Sequence, residues 1–386
     1  MARVLLGWEL GAGRGHAVWI ARIARSLRAR GHEPVLAVQQ VGALAGEGDV
    51  WQAPLWPGQI VALARRAPAS PRSMGDILAT LGLADGAAVQ GILHGWDRLL
   101  AAVRPDLVAA DFAPGLMMAA RGRLPLLACG NGFTLPPSGL DRFPVLGGGA
   151  ARDDEGELLD RLNGALSSCG RPPLPALPGL FAGDVMLVAT FAELDPYRAW
   201  RPSGQCAPVT DGPVPMAGSG RGLFVYLSAP ARLPAGFIEG VAAARLPTAL
   251  HARGLAAADV ARLRNAGLRV EPEPVPFARI AQEAGLLLSQ GGLGFVSSGL
   301  LAGLPQLVLP CDMEKGLTGQ AVEAAGLGAC LSPHGFRADA LAEMLQRLAG
   351  DSALAARARA AAADFRARTA TTAEEETLAA IEALLR

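Results

Sequence analysis

Short apolar runs separated by longer stretches of helical period recur along the whole chain, and that alternation leaves few folds open. "RVLLGW" (3–8) precedes Ile20, Ile23, Ala24 and Leu27 on one helical face, and "PVLAV" (34–38) follows. Strand, helix and strand in that order make a βαβ unit with parallel strands. The rhythm returns at "RPDLVAADF" (104–112), "LPLLACG" (124–130) and "GDVMLVATF" (183–191), while "DDEGELLDRLNGAL" (153–166) presents Leu158, Leu159, Leu162 and Leu166 as an amphipathic helix. The first half therefore reads as a mostly parallel sheet covered by helices.

Residues 202–222, "PSGQCAPVTDGPVPMAGSGRG", break the rhythm with proline, glycine and serine and mark a domain boundary. It then restarts with "LFVYLS", "PTALHA", "LRVEP", "LLLSQGG" and "PQLVLP" as strand candidates of a second doubly wound unit. At 386 residues, 51% of them hydrophobic, the chain is too long for one ordinary core, in keeping with two α/β domains. The expected division is a first domain at 1–205, a linker at 206–220, a second domain at 221–365 and a C-terminal helix at 366–386 returning to the first domain.

Thirty-five basic residues balance 35 acidic ones, so no net field draws the chain to nucleic acid or an anionic membrane, and a small-molecule partner is expected. No uncharged apolar run approaches the ~18 residues of a spanning helix. "MARVLLGWEL" is interrupted at Gly7 and Glu9 where a secretion signal stays apolar. Cys129, Cys169, Cys206, Cys311 and Cys330 include no C-x-x-C pair, which points to the reducing cytoplasm and away from a disulfide framework or structural zinc. His32, His94, His251 and His334 show no repeated ligand spacing, so no metal site is expected.

The first chemistry-bearing stretch is "GAGRGHAVWIARIA" (11–24). Gly11, Gly13 and Gly15 lie between a strand and a helix, as in a dinucleotide loop. But G-x-G-x-x-G from Gly11 needs glycine where His16 stands, and "LAVQQ" (36–40) lacks the acidic ribose ligand. Alternatively the glycines turn the chain tightly and leave His16 at the carboxyl edge of the sheet as a general base. Asp111, ending "RPDLVAAD", reaches the same edge and can fix the histidine's tautomer. A capping or packing histidine is the plainer alternative, and residues 11–16 alone leave it open.

"GAGRGHAVWIARIARSLRARGHEPVLA" together with "RPDLVAADF" resembles the amino-terminal lobe of the GT-B glycosyltransferases, in particular the nucleotide-sugar-dependent glucuronosyl/glycosyltransferase superfamily of bacteria. The resemblance implies two Rossmann-like domains facing each other across a cleft, an inverting, metal-independent transfer, His16 as the base that deprotonates the acceptor, and Asp111 as its orienter. It needs no cofactor beyond the co-substrate, a nucleotide-diphosphate sugar with UDP-sugar expected first. The acceptor is a small molecule, lipid or peptide, and Gly13, Trp8 and Trp19 around the glycine turn are its candidate contacts. Tryptophans at such positions also serve as core.

Residues 286–331 carry the other half of the resemblance, being similar to the family's donor motif H-G-G-x-G-T-x-x-E-A-L-x-x-G-V-P followed by D-Q and N-A. Gly291, Gly292 and Gly294 open a helix after a buried strand, where N–H groups and the helix dipole can hold a diphosphate. Gln290 stands at the diphosphate-binding histidine: it can donate a hydrogen bond but carries no charge. Phe295 replaces the threonine, and Ser298 the glutamate that holds the donor ribose. Ser228 falls at the phosphates. Val275 and Phe277 of "PVPF" fall at the nucleobase. Glu314 and Lys315 occupy the sugar-binding D-Q positions, Lys315 alternatively being a solvated surface residue. Those replacements keep a rival class in view, a catalytically inactive GT-B-like auxiliary or ligand-binding protein. Retention of both His16 and Asp111 argues for the enzyme.

Overall fold

A computed structural model describes residues 1–11, 14–62, 71–227, 233–332 and 337–386. The expected acceptor contact Gly13 and phosphate contact Ser228 lie outside the described residues. The chain forms two units, one of Met1–Ala189, Pro196–Cys206 and Thr372–Arg386, the other of Thr190–Asp195 and Ala207–Thr371.

In the first unit β1 (Arg3–Trp8), β2 (Glu33–Val38), β3 (Val50–Gln52), β4 (Leu107–Asp111), β5 (Leu126–Gly130), β6 (Val185–Ala189) and β7 (Gln205–Cys206) form one sheet in the order β3-β2-β1-β4-β5-β6-β7. All its pairings are parallel. The helix Arg14–Ala29 buries Ile20, Ile23, Ala24 and Leu27 on the sheet, the face its spacing predicts. Each such aliphatic side chain taken out of water contributes roughly 1.5–3 kcal/mol. Strand order reverses between β1 and β4, and in open α/β sheets that switch point is where the carboxyl ends of the strands open a crevice. Register pairs Trp8 with Asp111 at that edge.

The second unit builds β8 (Gly222–Leu227), β9 (Thr248–Ala252), β10 (Arg269–Val270), β11 (Ala284–Ser289), β12 (Gln306–Val308) and β13 (Gly328–Cys330) into a parallel sheet, β10-β9-β8-β11-β12-β13. Its switch point lies between β8 and β11, and the glycine turn follows β11 directly. Leu223, Val225, Leu286, Leu288 and Leu307 fill the core on one face of this sheet.

The Ala-rich tail is two helices. Ser352–Ala367 stays with the second unit, whereas Ala373–Leu384 belongs to the first. The break is a capping box: Thr372 accepts from the Glu375 amide, and the Glu375 carboxylate accepts from the Thr372 amide at 2.8 Å. The last helix is tied to Arg14–Ala29 by Ser26 with Glu374 and by an Arg30–Glu382 ion pair of 2.6 Å. Among the described residues no single helix is long and apolar enough to cross a membrane.

Candidate functional site

Each unit carries one cluster of chemistry-bearing residues at its switch point. In the first, His16 Nδ1 lies 2.8 Å from Asp111 Oδ2, with side-chain exposures of 17% and 5%. Gly11 makes room for the ring: its φ is +88°, and a Cβ there would stand 2.7 Å from His16 Nε2. Trp8 stacks on the imidazole with centroids 5.5 Å apart, and Phe112 flanks it at 6.4 Å. Phe112, the residue after Asp111, adopts φ +46°, an uncommon state for a bulky side chain. Sequence reading missed it, because nothing in "ADF" announces a left-handed phenylalanine.

The expectation that Trp8 and Trp19 contact the acceptor is corrected. Trp8 is 1% exposed and donates its indole N–H to the Leu10 carbonyl at 2.5 Å, and Trp19 is buried in the core. Trp8 supports the histidine from beneath instead of lining a pocket.

Beneath the pair lies a group the sequence hid. Glu9, read there only as a charge that spoils an apolar run, is fully buried. Its carboxyl group accepts from Trp56 Nε1 at 2.8 Å, Gly115 N at 2.9 Å and Leu116 N at 2.6 Å. Gly115 has to be glycine here, since a Cβ would stand 2.8 Å from Glu9 Oε1. Burial pushes the carboxyl up to about 7 from its ordinary 4.5, against the three N–H bonds that hold it down.

A raised carboxyl holds its proton more tightly in the folded than in the unfolded chain. Its stabilisation is therefore present below pH 4.5 and is lost as pH rises through about 7. At about 1.4 kcal/mol per pH unit this amounts to ~3 kcal/mol. Relative to Glu9→Gln, wild-type unfolding free energy from urea titration should fall by about that much between pH 4.5 and pH 8. Parallel curves for the two proteins would remove the assignment.

In the second unit the turn after β11 holds Gln290, Gly291, Gly292 and Gly294, and the helix Leu293–Ala302 starts from it. Gly291 has φ +89°, and a Cβ on it would meet the Lys315 carbonyl at 2.8 Å, so this turn packs against the segment expected to bind the sugar. The Gly291 amide donates to Ser289 Oγ at 3.1 Å, which shapes the turn. The first N–H groups of the following helix have no acceptor within it, which gives the turn its capacity for an anion. Gln290 is buried beside them.

Other expected donor contacts are differently engaged. Ser298 is 3% exposed and donates its hydroxyl to the Gly294 carbonyl at 2.8 Å, which ties it to its own helix. Phe295 stacks on Tyr226 at 4.7 Å and meets Phe277 edge-on at 5.6 Å. Both phenylalanines thus join the cluster of Phe224, Ile280 and Leu287, against which Val275 also packs. An aromatic ring at the family's threonine position is drawn to the sheet by burial of its faces. Lys315 Nζ is held by the Asp312 carboxylate and lies 3.3 Å from Cys311 Sγ. Asp312 also caps the helix Met313–Ala324 through the Lys315 amide at 2.9 Å, with Glu314 in its first turn. The lysine is therefore ion-paired, which corrects its reading as a solvated side chain.

Known proteins resemble this chain in sequence and in fold. Residues 256–381 match the family described as Erythromycin biosynthesis protein CIII-like, C-terminal domain. A 77-residue segment is 35% identical to NDP-glycosyltransferase YjiC of Bacillus licheniformis, covering 20% of this chain and 19% of that protein. The match thus spans about a fifth of that relative. Among solved structures, the calicheamicin glycosyltransferase CalG4 superposes with a TM-score of 0.71 at 20% identity, over 100% of this chain and 98% of that one. Glycosyltransferase VinC in complex with DTDP gives 0.69 at 19% identity, over 99% of each. The fold is GT-B. The matched segments are similar to parts of bacterial nucleotide-sugar glycosyltransferases.

Proposed function

We propose that this protein is an inverting, metal-independent glycosyltransferase that moves a sugar from a nucleotide-diphosphate sugar to a hydroxyl of a small-molecule, lipid or peptide acceptor in the cytoplasm. The observation that carries the reading is the 2.8 Å His16–Asp111 contact at the switch point of the first sheet. An aspartate on Nδ1 selects the tautomer that keeps the lone pair on Nε2 and stabilises the imidazolium that follows. Nε2 takes the proton of the acceptor hydroxyl while its oxygen attacks the anomeric carbon. The bond from that carbon to the diphosphate breaks on the opposite face, and the electron pair leaves with the diphosphate. The N–H groups and helix dipole at Gly291 to Gly294 receive the charge, a role that needs no cation. Glu314 accepts bonds from sugar hydroxyls. A held base and orienter disfavour the inactive alternative, since a scaffold that only binds has no use for them.

UDP-sugar is the expected donor, and a thymidine diphosphate sugar is the second reading, favoured by the DTDP complex of VinC. Thermal-shift titration with UDP, dTDP and GDP and their sugars separates these. Ligand at 100 times its dissociation constant should add about 2.7 kcal/mol to stability, a rise in Tm of a few degrees. No stabilisation by any of them would sink the donor site.

A further inference from the structure

We propose that Glu9 is a positioning residue for the His16–Asp111 pair, acting as a clamp between the two loops from which that pair hangs; the inference rests on the transfer reading above. One arm is its carboxyl group. By accepting from the Gly115 and Leu116 amides at 2.9 and 2.6 Å it fixes the chain immediately after Asp111, including the strained Phe112. Phe112 in turn accepts from the Leu10 amide at 3.1 Å, which returns the link to the start of the glycine turn.

The other arm is the Glu9 main-chain carbonyl. It accepts from Gln59 Nε2 at 2.6 Å, the same amide group donates to Gln39 Oε1 at 2.9 Å, and Gln39 Nε2 donates to the Gly11 carbonyl. Gly11 is the residue whose missing Cβ admits the imidazole. Trp56 closes the ring: its indole donates to Glu9 Oε2 at 2.8 Å, and its amide donates to Gln59 Oε1 at 2.8 Å. From one buried residue, hydrogen bonds run to the loop behind Asp111 and to the loop ahead of His16.

Packing alone does not account for a carboxyl at this place. Burying one is expensive, and an apolar side chain of similar volume would spare that cost but leave the Trp56, Gly115 and Leu116 N–H groups without their acceptor. What the carboxyl adds is direction, since its bonds fix the loops to a geometry that dispersion contacts leave soft.

The test uses the full chain with 15N-labelled histidine. His16→Ala identifies the His16 signals among five histidines. In the wild type the two ring nitrogens of His16 should be widely separated, the mark of one tautomer held by Asp111. In Glu9→Gln they should converge as tautomers average, while His32 and His94 of the same unit stay unmoved. With any donor and acceptor that turn over, kcat should fall ~10- to 100-fold with donor KM within about twofold, the cost of a misplaced base. Should Glu9→Gln fail to fold, Gln59→Ala opens the second arm with the carboxyl in place and is read the same way. Unmoved His16 signals, or His32 and His94 moving with them, would overturn the proposal. If wild type neither binds nucleotides nor transfers sugar while His16 still responds to Glu9→Gln, the transfer reading fails and the positioning role stands.

Discussion

His16→Ala should reduce transfer about 10²- to 10⁴-fold while leaving nucleotide binding as it was. Near neutral pH an acceptor hydroxyl is a poor nucleophile, and a positioned base contributes about 10²–10⁴-fold to its attack. In this chain the imidazole of His16 is held from several directions: Asp111 bonds its Nδ1, Trp8 and Phe112 flank its ring, and Gly11 leaves space for Nε2. Alanine empties that space, so water does not recover the geometry. The donor turn at Gly291 to Gly294 belongs to the other unit, and the Kd for the nucleotide should stay within about twofold by calorimetry. Turnover that survives the substitution would remove His16 from the reaction.

Asp111→Asn should lower kcat about 10²–10⁴-fold with little change in stability. Asparagine has nearly the same shape, so β4 and its register with β1 survive. The loss is electrostatic: an amide neither selects the Nδ1–H tautomer as firmly nor offsets the imidazolium charge. Because the loss lies in kcat, added acceptor should not rescue the rate. Thermal melting within a few degrees of wild type, alongside the fall in kcat, separates this outcome from unfolding. An unchanged rate would leave Asp111 a structural partner only.

Much of the site's layout is legible in the sequence. The "RVLLGW", "RPDLVAAD" and "LLLSQGG" runs are strands because short apolar segments bounded by turns have few other uses. Parallel strands share a carboxyl edge, which brought His16 and Asp111 together on paper. The glycine turn at 291–294 was equally readable, since such spacing after a strand is a local constraint on the backbone. The replacements were less so. Sequence counting assigned Phe295, Ser298 and Lys315 the roles of the residues they displace. In the structure Phe295 goes to the sheet, Ser298 to its own helix and Lys315 to Asp312.

The alternation of apolar runs and the glycine turns thus determined the class of fold and the edge to which His16 and Asp111 come, because those signals act within a few residues. Tertiary structure decided which polar groups are buried and against what. Glu9 looks like a stray charge in an apolar strand until Trp56 and Gly115, 47 and 106 residues away, bring their N–H groups to it. Trp8 looks like a pocket wall until burial turns it under the imidazole. Hydrogen bonding in the interior is settled by partners distant in the chain, and periodicity carries no record of them.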